Sequence, residues 1–92
     1  MNSPEYQGLA STSAKYSDEF YRCIAEWFSG KRDEKKRTEC SEIANSYRNA
    51  LEAQIAFLRT REQTPQVQRA LDITQGYLGL IERETQRVSM DS

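Results

Sequence analysis

The residue types that most often carry catalysis are poorly represented in this chain. None of its 92 residues is a histidine, so it cannot form the Ser–His and Cys–His pairs that activate nucleophiles or the Glu-x-x-His metal pairs of helical bundles. Its two cysteines, Cys23 and Cys40, cannot complete a tetrahedral zinc site within one chain. The carboxylates are scattered over polar positions, and no glycine-rich phosphate loop follows a strand. We therefore expect no enzymatic activity, no metal and no cofactor.

A charged cluster at residues 31–37 is a second place where chemistry could occur. Five of its seven residues are basic, which suits contact with phosphate. Two acids interrupt the cluster, however, and no aromatic residue interleaves with it for base stacking. The net charge of −1 gives no global attraction to nucleic acid or to an anionic membrane. We therefore expect a solvated loop and helix start, with neither nucleic acid nor a membrane as partner.

Two glycines within a helical pattern near the C-terminus are the most informative feature of the sequence. Gly76 and Gly79 lie in the stretch 74–82, where each costs about 1 kcal/mol relative to alanine. A small domain has only a few kcal/mol of net stability, so a compensating interaction is expected. We interpret both glycines as positions where another backbone approaches the helix closely.

A second apolar stripe accompanies the glycines. Ile73, Gly76 and Leu80 lie beside the periodic apolar seam of the same helix, whereas a helix packed on one side only should be polar on the other. One explanation is that this helix is sandwiched between the other helices of the chain. The other is that the stripe is a docking patch for a partner. The sequence leaves both explanations open.

Proline and glycine positions divide the chain into helical segments. Gly30 suits the position just after a helix, and Thr64-Pro65 suits an N-cap followed by proline in the first turn. The predicted elements of the single domain are an N-terminal arm or short helix at 1–12, helices at 13–29, 33–62 and 65–88, and a disordered tail at 89–92.

These segments predict an all-α fold, a small three-helix bundle built on an antiparallel helical hairpin. Apolar residues recur at helical spacing in each segment, and the two-residue connection 63–64 forces the second and third helices to run antiparallel as neighbours. The two cysteines fall on inward faces. We expect them to be free thiols in a reducing compartment, although a disulfide remains possible. Tyr21 and Phe28 lie off the main stripe of the first helix and could be exposed anchors.

The termini and the hydropathy predict a soluble, cytoplasmic protein. The first residues carry neither a basic region nor an apolar region of the kind that forms a signal peptide. The longest apolar run, 76–81, is far too short to span a bilayer.

Residue order over about 50–84 resembles a known family. Residues 52–60 read Glu-Ala-Gln-Ile-Ala-Phe-Leu-Arg-Thr, and residues 74–82 read Thr-Gln-Gly-Tyr-Leu-Gly-Leu-Ile-Glu. This order resembles the Thr-x-Gly-x-aliphatic-small-aliphatic-x-Glu pattern of the all-helical immunity proteins of certain type VI secretion effectors. Those effectors are NAD(P)-degrading toxins injected into rival bacteria, and the immunity protein binds the toxin domain and blocks its active site. The resemblance implies a cognate toxin as the partner of this chain.

The candidate toxin-binding residues follow from that hypothesis. Tyr77, Leu80 and Glu84 are expected to form an apolar anchor with a polar rim. Glu82 and Arg59 match the family pattern and either contact the toxin or brace the hairpin. Two alternatives stay open: a self-associating structural or adaptor protein, and a small inhibitor of a host or defence enzyme carried by a mobile element. Whether the free chain is a monomer or a dimer also stays open.

Overall fold

The chain folds as an all-α bundle in which the second helix lies between the other two. The computed structural model describes residues 3–91, which form α1 (Pro4–Phe28), α2 (Glu34–Arg59) and α3 (Pro65–Asp91). α2 packs extensively against both α1 and α3, whereas α1 and α3 contact each other sparsely. The predicted three-helix bundle on an antiparallel hairpin is confirmed. Because α2 is the central helix, the explanation that α3 is sandwiched between its neighbours is wrong.

The apolar core forms two clusters along α2. Buried apolar side chains are each worth about 1.5–3 kcal/mol, so these clusters rather than helix propensity hold the bundle together. The first cluster comprises Phe20, Ile24, Trp27, Ala44, Tyr47, Leu51, Ile81 and Val88. The second comprises Ile55, Leu58, Val67 and Leu71. No helix within residues 3–91 has the length and apolarity needed to cross a bilayer.

α1 begins well before its predicted start. The helix runs without a break from Pro4 through Ser13, although glycine and hydroxyl residues in that stretch led us to expect an arm or a separate turn. Tertiary contacts explain the difference. The rings of Tyr6 and Phe57 are 5.9 Å apart, and the Ser13 hydroxyl donates a hydrogen bond to the side-chain carbonyl of Gln54. Packing against α2 therefore overrides the weak local helix propensity.

α2 ends at Arg59 rather than at the predicted residue 62. Side chains of the connection satisfy carbonyls of its last turn, which terminates the helix. The Thr60 hydroxyl donates to the carbonyl of Phe57 at 2.6 Å, and the Gln63 amide donates to that of Leu58 at 3.3 Å. The connection is therefore longer than two residues but still joins antiparallel neighbours.

α3 begins as predicted and continues further than predicted. The Thr64 hydroxyl accepts a hydrogen bond from the backbone amide of Val67 at 3.2 Å, as expected of an N-cap before Pro65. The helix then continues to Asp91, through most of the stretch that we expected to be a disordered tail. The indole of Trp27 donates to the Asp91 carboxylate at 3.1 Å and so ties this end of α3 to α1. Residues 1–2 and 92 of the predicted arm and tail lie outside the described residues.

Three basic residues of the segment 31–37, which are Arg32, Lys36 and Arg37, form ion pairs within the chain. Lys36 Nζ lies 2.6 Å from a carboxylate oxygen of Glu26, and Arg32 Nε lies 3.1 Å from one of Asp91. The hydrogen bond from Lys36 holds the pKa of Glu26 below its ordinary value and raises the pKa of Lys36. The segment therefore joins the ends of the three helices to one another.

Cys23 and Cys40 form a disulfide between α1 and α2, so the expectation of free thiols is wrong. The antiparallel register of these helices brings the two Cα atoms to 5.7 Å, a separation that a disulfide bridges readily. Both cysteines are buried. Disulfides persist in oxidising compartments. The cysteines therefore no longer support the expectation that this protein works in a reducing compartment.

Reduction of the disulfide is expected to weaken the bundle without unfolding it. The bridge joins residues 17 apart in sequence, and closing a loop of that length stabilises a protein by about 3 kcal/mol. Urea denaturation with and without reductant should show a loss of about that size. A double variant with Cys23→Ser and Cys40→Ser is the control, because its stability should not respond to reductant. Equal stability of the oxidised and reduced chains would contradict the prediction.

Candidate partner-binding surface

One face of α3 exposes apolar side chains at helical spacing. Ile73 is 51% exposed and Tyr77 is 45% exposed, while Leu80 is half-buried and Gly76 is exposed. These four residues lie three and four positions apart, so they share one face of the helix. We call them the α3 outer stripe. Large apolar side chains on the surface of a small domain are typical of a docking site when they are grouped in this way.

The glycines of α3 face open space. A Cβ atom built on Gly76 or Gly79 would meet no atom within 4 Å. The prediction that another part of this chain approaches these glycines closely is therefore wrong. The reason is the order of the helices, since α2 occupies the centre of the bundle and leaves this face of α3 uncovered.

Three of the predicted site residues lie on the side of α3 that faces α1. Tyr77 and Glu84 both interact electrostatically with Tyr21 of α1, which is itself 40% exposed. Burial is the main cause that raises the pKa of Tyr21, and the neighbouring tyrosines and Glu84 add to it. The Glu84 carboxylate accepts two hydrogen bonds from Arg87 at 2.7 and 2.9 Å. Tyr77, Leu80 and Glu84 thus form one region together with Tyr21.

The other two predicted site residues lie towards α2, on a different side of α3. Glu82 accepts hydrogen bonds from the Arg48 guanidinium, whose Nε and Nη2 lie 2.9 and 2.7 Å from its Oε1. This contact braces α2 against α3. Arg59 lines a shallow depression between the same helices, with Gln75 and Leu78. The five residues therefore do not form one surface, and Glu82 makes its ion pair within the hairpin.

A groove runs between α1 and α3 beside the α3 outer stripe, and we call it the α1–α3 groove. Its volume is about 430 Å³. α2 supplies the floor, α1 supplies one wall of mostly small residues, and α3 supplies the other. The floor consists of Tyr47, Leu51 and Gln54, and the wall residues are Tyr6, Ala10, Ser13, Ala14, Ser17 and Asp18 of α1 with Ala70, Ile73, Thr74 and Tyr77 of α3.

The floor of the groove contains a buried polar side chain. Gln54 is 6% exposed, and its carbonyl oxygen accepts the hydrogen bond from Ser13. Its amide nitrogen donates no hydrogen bond to any residue within 3–91 and therefore has donor capacity to spare. The nitrogen is open to the solvent of the groove, because within residues 3–91 only the Thr85 hydroxyl is both buried and without a hydrogen-bond partner. The groove thus offers a hydrogen-bond donor at its centre.

The α1 wall was not predicted as part of the site, although the sequence carries a signal for it. Ala10, Ala14 and Ser17 recur at spacings of four and three, so they lie on one face of α1. The predicted start of the helix at residue 13 placed the first of them outside it. Of the two aromatic residues considered as anchors, Tyr21 is exposed. Phe28 is half-buried, with the guanidinium of Arg87 over its ring at 4.6 Å.

Within residues 3–91, no group of three or more potential metal ligands lies together. What the surface offers is apolar area on α3, a row of small residues on α1 and a single amide donor between them.

Alanine at the two helical glycines is expected to stabilise the free chain. Gly76 and Gly79 have helical backbones and open surroundings, so Gly76→Ala and Gly79→Ala should each raise the unfolding free energy by up to about 1 kcal/mol. Gly30→Ala is the matched control. Gly30 adopts a φ of 126°, so the same substitution there should destabilise the chain by about 1 kcal/mol or more. Urea denaturation measures all three, and destabilisation by the α3 substitutions would contradict the open surface.

No protein-family model, curated protein or solved structure gives a significant match to the chain. The functional assignment therefore depends on this surface and on the residue order at 50–84.

Proposed function

We propose that this chain is an immunity protein, which binds a cognate bacterial toxin domain and blocks its active site. The toxin would be an effector of the type VI secretion class. The observation that carries the proposal is the α3 outer stripe, whose apolar side chains lie around Gly76, a glycine that nothing within residues 3–91 covers. The resemblance of residues 50–84 to helical immunity proteins supports a toxin domain as the class of partner.

The stripe has the features of a binding anchor. Tyrosine buries a large apolar ring while keeping a polar tip, and aromatic residues dominate the binding energy of many protein interfaces. Tyr77 and Ile73 are about half exposed in the free chain, so a partner could bury much of their remaining surface. Glu84 and Arg87 are polar neighbours suited to a rim.

The glycines fit the same proposal. Without side chains, Gly76 and Gly79 leave the outer surface of α3 low and open. A partner's backbone could therefore approach this helix more closely than alanine would allow. The two glycines cost roughly 2 kcal/mol in helix propensity. No contact within residues 3–91 offsets this cost, and contact with the partner would.

We propose that the toxin is neutralised in the cytoplasm. This location requires that the chain fold with Cys23 and Cys40 reduced. Thiols are kept reduced in the cytoplasm, so the chain must there hold its fold through the core alone. The two apolar clusters and the helices of 25–27 residues make this feasible. The disulfide would then form when the chain is oxidised.

Charged substitutions in the stripe are expected to abolish protection while leaving the fold intact. Ile73→Lys and Tyr77→Lys each place an ammonium group at the proposed interface, where loss of an anchor costs about 2 kcal/mol, or roughly a 30-fold rise in Kd. The assay co-expresses the chain with the product of the neighbouring reading frame and measures both growth and Kd. Gln75→Lys is the control, because this exposed position of α3 faces α2 instead.

Three results would reject the proposal or favour its rival. A neighbouring product that is not toxic, or that stays toxic beside the wild-type chain, contradicts the immunity role. Full protection by the Ile73 and Tyr77 variants shows that the stripe is not the interface. A dimer of the purified chain that Tyr77→Lys disperses, with no binding to the neighbouring product, supports the self-associating adaptor, since the stripe would then pair with its own copy.

A further inference from the structure

The α1–α3 groove indicates which element of a partner this chain would receive. We infer that the groove binds one amphipathic α-helix of the partner, which runs antiparallel to α1 and α3. The identification of that partner as a toxin domain rests on the proposed function. The inference about its shape rests on the groove alone.

The arrangement of the helices leaves a place for a fourth. α1 and α3 are parallel and both pack on α2, and their sparse mutual contact leaves the groove open above its floor. A helix placed there would contact both neighbours, as in a four-helix bundle. Ala10, Ala14 and Ser17 permit a short distance between the axes on the α1 side, because small side chains let helices approach closely. Ile73 and Tyr77 of α3 would cover the other flank of the incoming helix.

The length of the groove suits a helix of modest size. The wall of α1 extends from Tyr6 at one end to Asp18 at the other. At a rise of 1.5 Å per residue these positions are about 18 Å apart along the axis, which corresponds to about 12 residues of an incoming helix. A helix of that length can present four or five apolar residues on one face.

The buried amide of Gln54 specifies a polar residue on the incoming helix. Its donor faces the groove, and an apolar occupant would seal it away from water without a partner. Backbone carbonyls inside a helix each already accept one hydrogen bond, so a side-chain acceptor suits the amide best. Asn, Gln, Ser, Thr or a carboxylate on the otherwise apolar face would satisfy it. A single buried polar pair of this kind also fixes the register of packed helices.

Charge favours the antiparallel direction. Because α1 and α3 are parallel, their N-termini lie towards the same end of the groove, where Tyr6 is in the first turn of α1 and the helix dipole contributes positive potential. Asp18 lies at the other end of the α1 wall and forms no ion pair with any residue in 3–91. An incoming helix that has its C-terminus at the Tyr6 end, and a basic residue near Asp18, complements both the dipole and the carboxylate.

A selection experiment on the full-length oxidised chain tests the inference without the toxin. The probe is a displayed library of 16-residue amphipathic helices whose apolar face is randomised, and fluorescence anisotropy gives the Kd of the enriched peptides. Ala14→Trp fills the groove and should weaken binding at least about 30-fold. Ala53→Trp makes the same change at an exposed position of α2 outside the groove, and should bind as the wild type does. Gln54→Leu should remove the preference for a polar residue at the centre of the apolar face. Circular dichroism verifies that each variant is folded.

The outcomes separate this inference from the proposed function. Failure to enrich any helix, or enriched helices that bind the Ala14→Trp chain as tightly as the wild type, overturns the inference. So does a dimer that Ala14→Trp disperses, because a second copy would then occupy the groove. Full neutralisation of the toxin by Ala14→Trp overturns the groove as the toxin's site while the immunity role stands. Groove-dependent helix binding beside a non-toxic neighbouring product supports the groove and rejects the immunity role.

Discussion

The central position of α2 is the constraint on which the rest of the structure depends. This helix buries side chains against two neighbours at once, and both apolar clusters contain its residues. α1 and α3 each pack chiefly on α2, so each keeps an uncovered side. The α1–α3 groove and the α3 outer stripe are consequences of that order. A bundle with α3 in the centre would have buried the stripe and removed the groove.

The same constraint explains why the glycines of α3 point to a partner. Within residues 3–91 these glycines allow no close contact between helices, since a side chain at either position would have open space around it. Their cost of roughly 2 kcal/mol in helix propensity is therefore unexplained by folding alone. Exposed Ile73 and Tyr77 lie on the same face as Gly76. Gln54, in the adjoining groove, has an amide donor that no residue within 3–91 uses. One side of the molecule therefore carries three separate features, which are the bare backbone at Gly76, the apolar area of Ile73 and Tyr77, and the amide donor of Gln54.

Local signals predicted the helices and their caps, whereas the packing order required the structure. Gly30 and Thr64-Pro65 determine helix ends through their own backbone and side-chain chemistry, so sequence alone located them. The start of α1 was placed too late because contacts of Tyr6 and Ser13 with α2 outweigh local propensity there. The disulfide and the ion pair of Glu82 depend on the register between helices, which periodicity does not specify. For the candidate site, the sequence identified the stripe on α3 but not the opposing wall on α1.

The central claim is that a partner covers the side of the bundle formed by the α1–α3 groove and the α3 outer stripe. Amide hydrogen exchange of the chain, free and in complex with the product of the neighbouring reading frame, tests it most directly. The account predicts added protection at residues 10–17 of α1 and 73–80 of α3, with little change at residues 34–39 of α2, which lie outside the groove. Protection confined to α2 around Arg48 and Glu52, with residues 10–17 and 73–80 unchanged, would contradict it.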